Sequence, residues 1–548
     1  MVENQVSWLP HLTEEIVSDA RGPELDAYAI ALEGWRRGLT LRWHAKDSEK
    51  FSEMDTWFVD RPGKLFSLSS EDKTHYFFRT RGDKVTNEAV RIGGDKEETK
   101  KHLIKAGVPT PKGKRFKDSK GNQEEIIKYA SEIGFPVVVK PTDGSFGRGV
   151  ITNLLEEPEL VQALHYLNVQ LGFNDIIIEQ HVKGEDLRIY VVGDKVVGAI
   201  KRVPANVIGD GVNTIKGLID LKNQERKKNP RLISCPIKIN DDMKYFINSN
   251  NYTFTSIPAK GELVYLTNKS NISIGGDPYD VLDEVSVIVK ETAIAALNSV
   301  PGLVQGAVDL MVDKEEGKYN DKVEVIELNP SAQIGSLLFP IKGKSRDVPS
   351  AIIEYYFPET IGTKTDYDKI YFSLTDVLEP LVSRTSSIAT VSPAPLGKIY
   401  ASKYTVKGNV QNISYHRGLR KQAFERKLSG FVKNLSNSDI EVVVLGTCKE
   451  SIDDFKNALL EDPERSAVYE IIQEDWTDPV KIGFEVKADL KTQIEQFRFM
   501  KQQMSNLKRE LRDIEKHNKK FTKSFSWRIT FPFRKLNDLV KFLKRKVG

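Results

Sequence analysis

Residues 135–150 read FPVVVKPTDGSFGRGV. The run Val137, Val138, Val139 is a strand of the fully buried kind, and it ends in Lys140. A loop follows with Gly144, Ser145, Gly147, Arg148 and Gly149. Leaving a buried strand through a lysine and then stripping the backbone of side chains sets bare peptide N–H groups beside a positive charge. That pair suits a phosphate, because glycine lets the backbone approach closely and lysine adds a point charge. The stretch is not a Walker loop, since GxxxxGK[ST] occurs nowhere in the chain. Taken alone it also reads as an ordinary glycine-bearing turn.

On either side of this stretch the pattern alternates between strand and helix. DKEETKKHLIKAG, from Asp95, predicts a helix ending at Gly107, and VPTP stops it. NQEEIIKYASEIG predicts a second helix and DIIIEQHV a buried strand. LRIYVVGDKVVGAIKRV predicts a hairpin turning at Gly193-Asp194. EVSVIVKETAIAALNSV reads as a helix and VEVIELNP as a strand. Asp309, Glu327 and Asn329 are oxygen donors, and the last two, two apart on a strand, face one side. Hard oxygen ligands near a phosphate site describe Mg²⁺. Without the glycine loop they read equally well as a strand end and the residue before a proline.

Residues 95–360 resemble an ATP-grasp domain, close to those of cyanophycin synthetases and fused glutathione synthetases. The resemblance is carried in order by DKEETKKHLIKAGVPTP, VVVKPTDGSFGRGV, IIIEQHVKGEDLRIYVV, RVPANVIGDGVNTI, GAVDLMV and VIELNPSAQIG. It implies that Lys96 and Lys140 contact ATP phosphates, and that the loop carrying Gly144, Ser145, Gly147 and Gly149 closes over them. Glu179 and Val182 would sit at the adenine hinge, and Asp186 would hold the ribose. Arg188 and Arg202 would stabilise the transferring phosphoryl group or the intermediate. Asp309, Glu327 and Asn329 would bind two Mg²⁺, with Mn²⁺ an alternative. The activity implied is an ADP-forming carboxylate–amine ligase working through an acyl phosphate. Two departures stand out. The P-loop ligase of a full cyanophycin synthetase is missing, and PSAQIGS follows the metal asparagine where many relatives have a PG pair.

Residues 396–487 predict strand, helix, strand, strand, helix, strand, and resemble acylphosphatase, whose fold is ferredoxin-like βαββαβ. GNVQNISYH and GFVKNL stand where that family has GxVQGVxFR and GxVxNL. Asn434 matches the catalytic asparagine, while His416 holds the position of the catalytic arginine. Arg417 is next to it, but one residue onward on a helix is about 100° round. Imidazole lacks the planar fork of a guanidinium, so this unit reads as a binding or scaffolding module, as an enzyme for one specific acyl phosphate, or as a structural module only.

The expected fold is therefore multidomain, α/β and α+β. An N-terminal substrate region (1–94) precedes the ATP-grasp fold (95–360). A linker (361–395, with SSIATVSPAP) leads to the acylphosphatase-like domain (396–487), an amphipathic helix (488–521) and a basic aromatic tail (522–548). In PELDAYAIALEGWRRG the apolar spacing reads as core, not as a ligand site. Apolar residues Leu490, Ile494, Phe497, Met504, Leu507, Leu511 and Ile514 give the late helix one sticky face. The tail, with Phe525, Trp527, Phe531 and Phe533 before RKLNDLVKFLKRKVG, reads as a surface that meets an anionic membrane or a helix packed on protein.

A formal charge of +4 over 548 residues gives no reason to expect nucleic acid. Two cysteines, Cys235 and Cys448, build neither a disulfide framework nor a metal cage, which fits a reducing compartment. The chain shows no signal peptide and no run of about 18 apolar residues that would span a membrane. The expected setting is the bacterial cytoplasm, at the inner membrane surface if the tail binds there, with a role in envelope polymer or peptide synthesis. The expected partners are a carboxylate (small or polymeric) and an amine, with an oligomer left open. The alternative is an acylphosphatase-type hydrolase regulated by the ATP-grasp domain.

Overall fold

The computed structural model describes residues 8–142, 149–315, 317–363, 366–411, 413–460 and 467–487, and 501–515 apart from 502, 506 and 513. These form two compact units. The first runs to Ala401 and also takes Leu445–Glu450 and Trp476–Gly483; the second holds Ser402–Val444, Ser451–Asp475 and the strand Phe484–Lys487.

Among the described residues the first unit has three larger sheets, besides two two-stranded ones, Asn206–Ile208 with Leu263–Tyr265 and Ile370–Tyr371 with Val480–Lys481. The N-terminal one has the strands Thr40–His44, Leu65–Ser69, Thr74–Phe78 and Arg81–Gly82 in antiparallel order. Its inner face is aromatic: Phe66 stacks on Phe77 at 5.0 Å, and Trp43 leans on Phe66 at 5.2 Å. Helix Pro23–Arg36, with proline at its start, packs on this sheet and on helix Val348–Tyr356 and is buried along nearly all its length. The core reading of PELDAYAIALEGWRRG thus describes the helix as built.

The expected linker is not one. Ile388–Thr390 pairs antiparallel with Thr40–His44 and forms the edge of the N-terminal sheet. Phe372 is fully buried. The Tyr28 hydroxyl donates to the Phe372 carbonyl (2.7 Å), Trp35 Nε1 to Ser392 (2.7 Å) and Arg36 Nε to Ile370 (2.9 Å). The serines and prolines that suggested a linker are those of a short edge strand, where proline ends the ladder without loss.

A four-stranded antiparallel sheet follows, in the order Gly113–Phe116, Ile176–Gln180, Val137–Pro141, Ile151–Leu154. Helix Lys96–Lys105 leads into it. The Asp95 side chain caps that helix by accepting from Glu97 N (2.8 Å) and Glu98 N (3.1 Å), worth about 1 kcal/mol. Gly107 closes it in a Schellman arrangement: Val108 N reaches Leu103 O (2.9 Å) and Gly107 N reaches Ile104 O (3.0 Å). Val137 and Val139 pack on Ile126 and Ala130 of helix Gln123–Ile133 in one core. Lys140 therefore points to the other face.

The third sheet is five-stranded, in the order Asp277–Asp280, Lys195–Val203, Glu185–Val192, Gln305–Glu315, Lys318–Asn329. The expected hairpin is present, with Val192 opposite Lys195. Leu187, Ile189, Val191, Val308, Leu310 and Val312 form one core with Val289, Ala293, Ala296 and Leu297 of helix Val287–Asn298. Alternation leaves Asp186, Arg188, Tyr190 and Asp309 on the opposite face.

In the second unit the strands run Ala467–Asp475, Tyr400–Asn409, Ile440–Gly446, Ser429–Asn434, Phe484–Lys487. The first four give the ferredoxin-like order 4-1-3-2 that βαββαβ implies. The fifth, parallel to Ser429–Asn434, extends the sheet beyond the expected count. Of the late helix, the described part of 501–515 is helical and leaves Met504, Leu507, Leu511 and Ile514 exposed. Leu490, Ile494, Phe497 and the tail 522–548 lie outside the described residues. Among the described residues no helix is long and apolar enough to cross a membrane.

Candidate active site

The centre of the third sheet places three charged residues in one row. Arg188 stands directly opposite Asp309, and Asp309 directly opposite Glu327. Asn329 sits two residues beyond Glu327, opposite Ala307. A bulge keeps this row together: past Asp309 the register slips, so that Leu310 faces Val325 and returns to the core. Bulges commonly re-aim side chains beside active sites. Asp309 lies well inside its strand and does not end it.

The Asp309 carboxylate accepts a fork from Arg188 (Nε–Oδ1 2.8 Å, Nη2–Oδ2 2.9 Å) and a further contact from Arg202 Nη1 at 3.0 Å. Arg202 also binds Asp186, through Nε at 3.1 Å and through Nη2. Burial works to raise the Asp309 pKa, but the two arginines outweigh it and hold the group anionic, well below the usual carboxylate range. Glu327 goes the other way: burial raises it first, and the neighbouring Asp309 charge adds to that. Asp186 is likewise raised, by burial first, against the pull of Arg202.

On the four-stranded sheet, Lys140 pairs with Glu179 at 2.5 Å, and Lys100 reaches the same carboxylate at 2.6 Å. Burial pushes Glu179 up, but the two lysines prevail and its pKa falls below the ordinary value. Lys100 was missed in the sequence, although it stands four residues from Lys96 and so shares its helix face. Lys96 Nζ donates to the carbonyls of Pro141 (3.4 Å) and Thr142 (3.3 Å), at the root of the glycine loop. Val182 lies half-buried in the connection after the strand Ile176–Gln180. Gly144, Ser145 and Gly147 fall outside the described residues; Gly149, just past them, takes φ 76°. The structure thus gives Glu179 to lysines, and Asp186 to Arg202, where the resemblance implied contacts to base and sugar.

Asp309, Glu327 and Asn329 offer two carboxylates and an amide, an all-oxygen donor set that fits a hard divalent cation. Glu327 makes no ion pair among the described residues and Asn329 keeps a buried Nδ2 without a partner, whereas both Asp309 oxygens are held by Arg188 and Arg202, contacts that a cation at Asp309 would have to share or displace. Among the described residues no three His, Cys, Asp or Glu side chains converge. The amide oxygen is what completes the set.

In the second unit His416 lies buried in helix Ile413–Glu425, beside the Val410 carbonyl, and its Nε2 has no partner. Arg417, one residue on, is exposed. Asn434 ends the strand Ser429–Asn434 with its Oδ1 buried and unpartnered. Gln411 Nε2 ties the loop by donating to Leu435 O (2.7 Å) and Asp439 O (2.9 Å). Burial lowers the His416 pKa, so the ring is neutral at pH 7.

Two stretches of the chain match known families. The model of the RimK-like ATP-grasp domain matches residues 93–217, and that of acylphosphatase matches residues 402–486. The chain thus carries an ATP-grasp domain and an acylphosphatase-like domain. The ATP-grasp part is similar to the glutathione biosynthesis bifunctional protein GshAB of Clostridium perfringens, 31% identical over 341 residues, covering 61% of this chain and 41% of that protein. It is also similar to cyanophycin synthetase of Crocosphaera subtropica, 31% identical over 276 residues, covering 49% and 31%. The chain thus spans about two fifths or less of the length of these curated relatives. The acylphosphatase-like part is similar to a solved acylphosphatase of Coxiella burnetii, 34% identical, covering 16% of this chain and 93% of that one at a TM-score of 0.15.

Proposed function

We propose that the protein is an ATP-dependent carboxylate–amine ligase that forms an amide through an acyl phosphate. The observation that carries this reading is the row Arg188, Asp309, Glu327, held on rigid strands. A carboxylate oxygen attacks the γ-phosphorus of ATP, the bond to the β-phosphate oxygen breaks, and ADP leaves. An amine nitrogen then attacks the acyl carbon, phosphate departs and the nitrogen loses a proton. Arg188 and Arg202 would neutralise charge on the transferring group. Lys96, Lys140 and the loop around Gly149 would hold the phosphate chain. Asp309, Glu327 and Asn329 would hold Mg²⁺, two ions in our reading, which supplies further charge neutralisation when bound.

The working boundaries are 95–360 for the ATP-grasp domain and 396–487 for the acylphosphatase-like domain. A role at the inner membrane surface in envelope polymer synthesis rests on the tail sequence alone. A hydrolase reading, with the acylphosphatase-like unit as the main enzyme, is weakened by the neutral, buried His416. That unit fits better as a module that recognises an acyl phosphate.

The test is ADP release with Mg²⁺-ATP against amino acids, short peptides and uronic acids, beside an Asp309→Ala, Glu327→Ala double variant. Release that needs both an acid and an amine, and that is lost in the variant, supports the ligase. AMP in place of ADP would overturn the acyl phosphate route.

A further inference from the structure

The four-stranded sheet has two unlike faces. Val137, Val139, Ile176 and Ile178 turn to the core. Residues directly opposite on neighbouring strands share a face, and alternation sends Ile177 to the side away from that core. Ile177 stands opposite Arg115 on one neighbouring strand and opposite Lys140 on the other. Arg115, Ile177 and Lys140 are thus one row on the lysine-bearing face. Glu179, two residues along, stands opposite Gly113, where a Cβ would come within 2.8 Å of Lys100 Nζ. Arg115 is a cation of this face that the set of phosphate-binding lysines does not include.

Arg115 is spent on two acids. Its Nε and Nη2 fork onto Asp175 (2.8 and 2.5 Å), and its Nη1 reaches Glu97 Oε2 at 3.2 Å. Glu97 follows Lys96 in the first turn of the helix Lys96–Lys105. Asp175 comes just before the strand Ile176–Gln180, and its carbonyl accepts from Thr142 N (3.2 Å) and Thr142 Oγ1 (3.3 Å). The Thr142 carbonyl in turn accepts from Lys96 Nζ at 3.3 Å. These contacts close a ring: Arg115, Asp175, Thr142, Lys96, Glu97 and back to Arg115.

Thr142 follows the strand Val137–Pro141 and comes two residues before Gly144. Its N–H and hydroxyl are tied to Asp175 and its carbonyl to Lys96, so the chain leaves this strand in a fixed direction. Without Arg115 the ring opens at both acids, and the helix that carries Lys96 is no longer linked to Asp175 through Glu97. The Arg115 fork comes first among the causes that hold the Asp175 carboxyl below its usual range, so the pair is charged at pH 7. A lone exposed ion pair holds little, whereas a forked pair inside a network keeps its geometry. Lysine, a point charge, offers Asp175 no fork.

We propose that Arg115 is a positioning residue for the nucleotide: it fixes Lys96 and the root of the glycine loop relative to each other, and so sets the affinity for the phosphate chain through Asp175 and Glu97. The proposal deepens the ligase reading and rests on it for the identity of the nucleotide. The task differs from that of Lys140, which lies in the same row but is held by Glu179. Positioning groups of this kind act by holding the binding groups in the productive geometry before the ligand arrives.

The test is calorimetric binding of Mg²⁺-ATP and of adenosine to the full chain, with a melting curve for each protein. The parent is compared with Arg115→Gln, Arg115→Lys, Asp175→Asn and the double variant Arg115→Gln, Asp175→Asn. ATP should bind Arg115→Gln at least tenfold more weakly than the parent, while adenosine binds both alike. Arg115→Lys, which keeps the charge and loses the fork, should fall between them. The double variant should lose little more than either single one, since both cut the same ring. If the glutamine variant does not fold, the ratio of ATP to adenosine affinity in Arg115→Lys decides. The proposal is overturned if both Arg115 variants keep full ATP affinity, if ATP and adenosine weaken together as a structural role would have it, or if the losses of Arg115→Gln and Asp175→Asn simply add. ATP binding by the parent with unaltered variants sinks this role alone; no ATP binding by the parent sinks the ligase reading and this role with it.

Discussion

Arg188 and Asp309 meet as a two-pronged pair, 2.8 and 2.9 Å, from positions directly opposite on neighbouring strands. Two parallel bonds need a planar guanidinium, and lysine offers only a point charge. Arg188→Lys should therefore lower kcat for ADP formation by about 100-fold, the scale of losing one oriented donor to a transition state. The fold should survive, because Asp309 keeps Arg202. Stopped ADP release and a melting curve on the same preparation check both halves. A variant with undiminished kcat would remove Arg188 from the chemistry.

Glu179 should set the acid limit of the four-stranded sheet. Its folded pKa lies below the ordinary 4.5 because Lys140 and Lys100 together outweigh burial. A carboxyl lowered on folding adds stability that is complete above 4.5 and is lost as pH falls through the lowered value. Glu179→Gln should melt earlier at pH 7, by the roughly 3–5 kcal/mol that a broken buried pair costs, and its melting temperature should fall less steeply below pH 4.5. A pH series of melts decides it.

Asp26 should act with the opposite sign. Burial, against the pull of Arg231 and two backbone N–H groups, raises it from 3.8 to about 6. The folded state then binds this proton more tightly than the unfolded one. Its favourable contribution is full below 3.8 and fades as pH climbs to about 6, a loss of about 3 kcal/mol. Asp26→Asn should remove that slope and leave the ligand-free protein more stable than the parent at pH 7. Equal melting temperatures of the two proteins across pH 4–7 would contradict the raised value.

His416 should make anion binding by the second unit respond to pH. Burial lowers its pKa from 6.5, so the ring gains charge only in more acid solution. Phosphate should bind more tightly as pH drops below 6.5, while His416→Arg should bind it with no such dependence. Calorimetry at several pH values gives the comparison. A flat profile in the parent protein would argue that the imidazole does not face the anion.

Phe372→Ala should cost about 3–5 kcal/mol, the price of emptying a fully buried aromatic site. The same change in a true linker would cost almost nothing. Chemical unfolding of the full chain distinguishes the two.

Much of this was legible beforehand, for reasons particular to each element. Asp95 and Gly107 bracket a helix because a cap and a left-handed stop are local signals. The hairpin at Gly193-Asp194 and the order of strands in the second unit follow from local period and turn chemistry. Glu327 and Asn329 share a face by simple alternation. Other features depend on long-range packing that local patterns do not encode. The residues around Ile388 have no strong strand signal; they become a strand because the edge at Thr40–His44 is open to them. Asp26 hides in a largely apolar helix, where an acid in the first turn reads as a surface position, and the backbone N–H groups of Ile334 and Gly335 that it accepts from lie far along the chain. The bulge past Asp309, which puts Leu310 opposite Val325, leaves no mark in composition at all.

The strand Ile176–Gln180 carries Glu179, and the strand Glu185–Val192 carries Asp186 and Arg188; only residues 181–184 join them. Gly184 must be glycine, since a Cβ there would stand 2.6 Å from the Val312 carbonyl oxygen. At roughly 3.5 Å per residue, the five steps from Gln180 to Glu185 can span no more than about 17 Å. The lysine-bearing sheet and the carboxylate-bearing sheet are on a short leash. On the ligase reading proposed above, a join of this length would let them part to admit a nucleotide while keeping both sets of charges near its phosphates.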